Sequence, residues 1–457
     1  MRKFLLPMTV VVIIASILLA ACQPAAQTAQ PQQPAAEQPA GEQPAGQKAP
    51  VTLRFLKIAD ELEAKSFAEM VDAWHQVDGG KWSYVTIEYD AKPFAELFPS
   101  ISKAVATGST VDIVQADGPD VKHFAYNNVL MDLTSHFTEE EMKTWIPQSV
   151  AEGSLGDKFY GPPLAQSCQL MWYNVDMMAE AGIDVSDPTK AWTYGDDGTA
   201  LPNWQKLTKD ENGDGNPEVF GLAFAGPWDY FQSIPARSNG EPGSPTYVGI
   251  GPDGITFDGY FNTPEAIEAY QFQQDMVTKH KVMSAEQTNN PMLSGLAATQ
   301  IYQDLIMGTQ KDQFPDFNMS AIYPPYFETP FCNTGSWHYG ITSTTQHFEE
   351  ALAFVKFASS DEGAQYIWKY KSQLPANVNL LNTLPDFQEV PERAMMRDFM
   401  VEYGQPRRQT PAYTEYNALW TEFYTSLVAG ADVEELVAEY TMLMEEAAAK
   451  YAGWENK

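Results

Sequence analysis

The sequence predicts an α/β protein of two lobes, and three observations carry that prediction. Strand-like and helix-like periodicities alternate from Val51 to Val114. The 457-residue chain is longer than a single core usually supports. A basic and then apolar N-terminus, followed by a polar proline-rich stretch, separates a leader and a tether from the part that folds.

The alternation begins with Val51, Leu53 and Phe55 at period two, followed by Phe67, Met70, Val71 and Trp74 at helical spacing. Val85, Ile87 and Tyr89 read as the next strand, Phe94, Leu97, Ile101 and Val105 as the next helix, and Val111 to Val114 as a short buried strand. Strands alternating with helices imply parallel pairing. Ligands of such sheets sit beyond the carboxyl ends of the strands, here Lys57 to Glu61 and Gln115 to Asp120. Further along, Thr263-Pro264-Glu265 reads as a helix start, Glu349 to Phe357 as a helix broken at Ser359 to Asp361, and Asp432 with Glu435 as a capping box.

At the N-terminus, Arg2 and Lys3 precede an apolar run from Phe4 to Leu19, the layout of a secretory signal. Leu19-Ala20-Ala21-Cys22 resembles the bacterial lipobox, which implies a chain cut before Cys22 and anchored through two acyl chains on that thiol. From Gln23 to Pro50 the chain is mostly Pro, Ala, Gln and Glu, too poor in apolar surface to offset its ordering entropy, and reads as a tether.

With 60 acidic against 28 basic residues the formal charge is -32. Such a surface repels polyanions, which excludes nucleic acid as a partner and disfavours a phosphate-dominated ligand. Cys168 and Cys332 remain as thiols that an oxidising compartment would let pair; their spacing leaves the pairing open.

In order along the chain stand Tyr160-Gly161-Pro162, Trp172-Tyr173-Asn174, Ala181-Gly182-Ile183, Leu207-Thr208-Lys209-Asp210, Glu349-Glu350-Ala351 with Phe354, and Leu374-Pro375-Ala376. This series resembles the family-1 extracellular solute-binding proteins, the maltose-binding-protein-like group that serves ABC importers of carbohydrates. The resemblance spans Val51 to the C-terminus. It implies a two-lobed periplasmic-binding-protein-like fold of type II with an interlobe ligand cleft, no catalysis, and ABC permease subunits as partners. Residues 1–21 are then the lipoprotein signal peptide and 22–50 the lipidated Cys and tether. Residues 51–165 and 304–345 form lobe I, and residues 166–303 and 346–457 form lobe II. Crossings are expected near Leu164 to Cys168, Thr299 to Asp304 and Ser343 to His347.

A sugar presents apolar C–H faces and a rim of hydroxyls, so its site needs planar aromatics beside carboxylates or amides. Ala225-Gly226-Pro227-Trp228-Asp229-Tyr230 leaves a strand through a Gly-Pro turn and offers an indole, a carboxylate and a phenol together. Trp337 stands beside small hydrogen-bonding groups in Asn333 to His338, and Asp60 and Glu61 follow the first strand. Asp117 and Gln166 complete the candidates. Against these readings stand core packing for the indoles, helix capping for Asp60 and Glu61, and turn or interlobe bonding for Asp117 and Gln166.

Asp210, Asn212, Asp214 and Asn216 occupy alternate positions of a calcium-loop-like segment with Gly215 at the sixth place, but Gly221 stands where the bidentate Glu belongs. A metal-free hairpin turn is the favoured reading there, and no other cofactor is expected. Gly249-Ile250-Gly251-Pro252-Asp253-Gly254 has dinucleotide spacing but precedes a strand, so the helix N-terminus that would hold a pyrophosphate is missing. The alternatives to sugar capture are a peptide or cationic metabolite on the same fold, and a secreted glycoside hydrolase.

Overall fold

The computed structural model describes residues 48–371 and 373–454. The leader, Cys22 and nearly all of the tether lie outside the described residues. Eleven strands matter for the argument: β1 (Val51–Ile58), β2 (Val85–Lys92), β3 (Ile113–Asp117), β4 (Pro163–Ala165), β5 (Leu170–Asn174), β6 (Phe220–Leu222), β7 (Ala297–Tyr302), β8 (Met319–Ile322), β9 (Cys332–Thr334), β10 (Trp337–Ile341) and β11 (Gly404–Pro406). The helices that position them are α1 (Glu61–Trp74), α2 (Phe94–Ala106), α3 (Gly118–Tyr126), α4 (Pro264–Thr278), α5 (Phe348–Ser359), α6 (Asp361–Lys371), α7 (Pro391–Tyr403) and α8 (Tyr413–Val428).

Two sheets organise the chain, one to each lobe. The first has the order β2-β1-β3-β10-β4. In it β1 pairs in parallel with β2 and β3, as the alternating periodicities predict, while β10 returns antiparallel against β3 and β4. The second has the order β8-β5-β7-β6 and is mostly antiparallel, with only β6 and β7 parallel.

Local signals account for the helices. Asp60 caps α1 by accepting the N–H of Glu63 at 2.9 Å, and Thr263 caps α4 ahead of Pro264 at the first helical position. The break predicted between Ser359 and Asp361 is where α5 ends and α6 begins. Asp432 accepts the N–H of Glu435, which is one of the two bonds of the capping box read there.

The sheets correct the lobe boundaries. Lobe I was expected to include all of 304–345, yet β8 pairs with β5 in the second sheet. Residues 346–371 were expected in lobe II, yet α5 packs on β10 and α6 on α1, over the first sheet. The expected bounds were what the resemblance implied, and the apolar periodicity of these segments marks them as core-facing without saying which sheet they join. Of the expected crossings, the one near Leu164 to Cys168 corresponds to the β4–β5 connection. Residues 299–304 stay with the second sheet and 343–347 with the first.

The connection back to the first sheet runs from β8 through β9 to β10, and β11 pairs in parallel with β9. Cys168, in the β4–β5 connection, is bonded to Cys332 at the start of β9, with Cα atoms 5.7 Å apart and 164 positions between them in sequence. The disulfide therefore joins two of the segments that link the sheets. Gln169 strengthens the same seam by donating to the carbonyl of Asn333 at 3.0 Å. Among the described residues no helix is long and apolar enough to cross a membrane.

Candidate ligand-binding site

In the first sheet the chain moves from β1 outward to β2 and then back past β1 to β3, so the strand order reverses between β1 and β3. Crevices for ligands form at the carboxyl ends of strands at such a reversal. Those ends are Ile58 and Asp117, and the side chain of Gln115 ties them by accepting the N–H of Ile58 at 3.1 Å. Trp337 opens β10 directly opposite Asp117 in register. The half-buried Trp337 indole meets Phe94, the first residue of α2, edge-on at 6.1 Å, and Phe94 is 51% exposed.

From the second lobe the loop after β6 delivers Trp228, Asp229 and Tyr230. Gly226 adopts φ +100, a conformation open to glycine, and lets the chain turn there. Trp228 keeps 43% of its surface exposed, so its indole is not a core residue. Tyr230 points inward and donates to Ser167 Oγ at 2.7 Å, and Ser167 donates to the carbonyl of Gly335 at 2.9 Å.

The remaining candidates divide by what holds them. Asp117 is gripped at both oxygens by Arg407, at 2.9 Å from Nη1 and closer still from Nη2. Asp229 is fully buried and accepts from Arg408 and from the hydroxyl of Tyr416, each at 2.7 Å. Gln166, also buried, donates to Ser149 and accepts the N–H groups of Ser167 and Gly335. Asp60 is occupied as the α1 cap, with Lys371 Nζ 3.5 Å away, and Glu61 is exposed in the first turn of that helix. Asp117, Gln166 and Tyr230 thus converge on one polar floor, with Asp229 beside it, while Asp60 and Glu61 belong to a separate corner.

Sequence reasoning missed Phe94, Ser167, Arg407 and Arg408. One signal was available: beyond Lys3, Arg407-Arg408 is the only pair of adjacent basic residues in an acidic chain.

Behind the floor, Ser336, His338 and Glu152 form a buried chain of contacts. Burial pushes His338 down to about 4 and keeps it neutral. Its Nδ1–H donates to the carbonyl of Gly161 at 2.7 Å, so Nε2 accepts from the Ser336 hydroxyl. Burial also pushes Glu152 upward, and its carboxyl touches the hydroxyls of both Ser336 and Thr334. The order differs from a nucleophilic triad, because the acid touches the serine instead of the imidazole and all three side chains are shut from solvent.

At the calcium-like loop, Asp210 accepts the N–H groups of Gly213 and Gly215 with its two oxygens, at 2.7 and 2.8 Å. Asn212 and Asp214 accept from Asp214 and Asn216 at 2.8 Å, and Lys209 pairs with Val219 across the loop. These side chains spend their oxygens on N–H groups within the turn. Among the described residues no group of three or more His, Cys, Asp or Glu is placed to hold a metal.

Two lobes that meet at a polar floor, with exposed aromatics on each, define a binding protein. Solved structures share the fold. An ABC substrate-binding protein from Listeria monocytogenes in complex with cycloalternan aligns with a TM-score of 0.73 at 18% identity, over 87% of this chain and 98% of the other. An ABC transporter solute-binding protein from Thermotoga lettingae bound with α-D-tagatose aligns at 0.72 and 18% identity, over 87% and 99%. The maltose/maltodextrin-binding domain from Bdellovibrio bacteriovorus bound to maltotriose aligns at 0.71 and 19% identity, over 87% and 100%. Residues 64–395 match the family described as bacterial extracellular solute-binding protein, and the chain belongs to that family. Its fold is the two-lobed type II binding-protein fold, as the order of sequence motifs implies.

Proposed function

We propose that this chain captures a carbohydrate between its lobes and presents it to the permease subunits of an ABC importer, held at the outer face of the membrane by lipid on Cys22. The observation that carries the reading is the exposure of Trp228 on one lobe and Phe94 on the other, the latter packed on Trp337, beside a floor of hydroxyl and amide groups. Indole and phenyl faces suit the C–H faces of a pyranose, and the hydroxyls of Ser167 and Tyr230 suit its rim. A ligand that touches both lobes stabilises their closed arrangement by its differential affinity, and that arrangement is what a permease distinguishes.

The solutes bound by the three similar structures, cycloalternan, D-tagatose and maltotriose, make a rational first panel. Calorimetric titration of each, with small-angle scattering of the complex, should give saturable heat and a smaller radius of gyration for at least one. Heat without compaction would reject lobe closure, and no heat with any neutral sugar would reject the carbohydrate. The chain is read as a carrier without catalysis. Reducing ends released from maltotriose by the purified protein would overturn that. Membrane association lost on Cys22→Ser substitution tests the anchor.

A further inference from the structure

We propose that Arg407 sets the charge class of the solute: by cancelling Asp117 where the lobes meet, it adapts the floor to an uncharged, hydroxyl-bearing ligand and against a cationic one. This rests on the binding role proposed above and goes further in naming the residue that decides between a neutral sugar and a cationic metabolite.

A chain of formal charge -32 would be expected to offer acid at its ligand floor. Asp117 is 290 positions from Arg407 in sequence, yet both of its oxygens lie on that guanidinium. The fork of an arginine matches a carboxylate edge to edge, which a lysine does not. The face of the same guanidinium lies 5.4 Å from the ring of Tyr230 and 5.7 Å from that of Tyr413, and Nη1 also donates to the Tyr413 hydroxyl at 3.2 Å. One cation therefore joins an acid of the first lobe to an aromatic of the second.

Gly335 shows how closely these groups gather. A Cβ there would meet Tyr230 at 3.0 Å, Ser167 Oγ at 3.2 Å and Arg407 Nη2 at 3.3 Å. The neighbouring residue repeats the cancellation inside the second lobe, where Arg408 is paired with Asp229 and donates to the carbonyl of Gly249 at 2.8 Å.

The other titratable groups packed around Asp117 do not restore negative charge. Burial and then Asp117 push Asp120 up to about 8, so it is protonated at neutral pH, and burial pushes Glu152 upward. His338 is neutral. Lys122, lowered by burial to about 8, adds only positive charge, Asp304, which acts on Tyr230, is paired with Arg393 at 2.7 Å, and burial raises Tyr230 and Tyr413 and keeps both phenols protonated.

A cationic solute would enter this floor with no anion free to pair, a desolvation cost without return. An uncharged, hydroxyl-bearing solute brings no charge that needs a partner there.

The test compares maltotriose, cycloalternan and D-tagatose with the cationic glucosamine trimer on the full-length protein. Wild type should bind a neutral sugar at least ~100-fold more tightly than the glucosamine trimer. Arg407→Gln should weaken the neutral ligand ~tenfold or more and narrow that preference, because Asp117 is left unpaired. The double substitution Asp117→Asn with Arg407→Gln removes both charges and should recover neutral binding to within about threefold, and it serves equally if the single variant folds poorly. Without any ligand, the melting temperature of Arg407→Gln should fall more steeply than wild type as pH rises from about 5 to about 8, since the buried Asp117 carboxyl has then lost its cation. Unchanged preference and an unchanged pH profile in Arg407→Gln would overturn the proposal, as would a wild type that favours the glucosamine trimer. If wild type binds none of these sugars, the carbohydrate reading fails and the selection by charge with it, while the unliganded pH comparison separately decides whether Arg407 cancels Asp117.

Discussion

Two clusters of buried charge stand at the carboxyl ends of adjacent strands in the first sheet, and they differ in where their partners come from. At the end of β1, Lys57 lies 3.6 Å from Glu63, and Lys371 from the end of α6 lies 2.8 Å from the same carboxylate. All three belong to the first lobe. At the end of β3, Asp117 takes its partner from the segment beyond β11, and that partner rests on the rings of Tyr230 and Tyr413. The chemistry is nearly the same, a carboxylate on a buried cation, but the first cluster fastens α6 to α1 within one body whereas the second joins two bodies. The comparison teaches that a buried ion pair acquires a functional reading from the segments it connects.

The largest test of this difference is Glu63→Gln. It takes the shared carboxylate from two buried ammonium groups, leaving Lys371 only the longer contact with Asp60 at 3.5 Å, and should cost about 3–5 kcal/mol of stability, seen as a lower melting temperature, with ligand affinity of the folded protein unchanged. Burial already lowers Lys57, which holds Glu63 only at the longer distance, while Lys371 is raised despite burial by its closer contact with Glu63. Lys57 should therefore be the one that gives up its proton in the variant. A matching loss of affinity would erase the distinction between the two clusters.

The second cluster should have a pH signature that the first lacks. Asp120, raised to about 8, keeps its proton in the folded state at pH values where the unfolded chain has lost it. Stability is thus fully present below the ordinary carboxylate range and is lost as pH rises through about 8. Between about pH 6 and about 8 the loss should be on the order of 2 kcal/mol, and Asp120→Asn should flatten it in melting curves taken across that range. His338 acts with the opposite sign: its value of about 4 lies below that of a free histidine, so stability is lost as pH falls toward 4. An Asp120→Asn profile that parallels wild type would show that the carboxyl is not held as the geometry implies.

Trp228→Ala sharpens the comparison from the ligand's side. The indole is exposed, so the melting temperature should hold while sugar affinity falls about tenfold, roughly the value of one aromatic contact. A drop in stability with unchanged affinity would return Trp228 to a packing role. The smallest effect is expected far from both clusters, at the loop of Asp210, Asn212, Asp214 and Asn216. Asp210→Ala removes the acceptor for two loop N–H groups and should lower the melting temperature by about 1 °C, and millimolar calcium should leave the wild-type value unchanged. A calcium-dependent rise would make the loop a metal site.

The contrast between these regions tracks what was legible in the chain. Caps and periodicities act within one or two turns, so Asp60, Thr263 and Asp432 announced their helices, and the break at Ser359 to Asp361 was visible as a polar interruption between two apolar faces. The Gly-Pro turn before Trp228 marked an aromatic that would reach solvent. Asp117, Gln166 and Tyr230 were recognisable as hydrogen-bonding groups near strand ends, but nothing near them in sequence indicated that Arg407 and Ser167 would occupy them. The two corrected segments, β8 and the helices α5 and α6, carry correct local patterns and were assigned to the wrong lobe.

Local residue order was therefore enough for strands, helix starts, turns, the acidic surface and the family motifs, because each arises from forces between neighbours in the chain. Which sheet receives β8, which cysteines pair, and which acid meets which arginine were settled only when segments up to 290 positions apart were folded together. A buried charge is stable only beside a partner that matches its geometry, and that partner is selected by packing in space, on which spacing along the chain is silent.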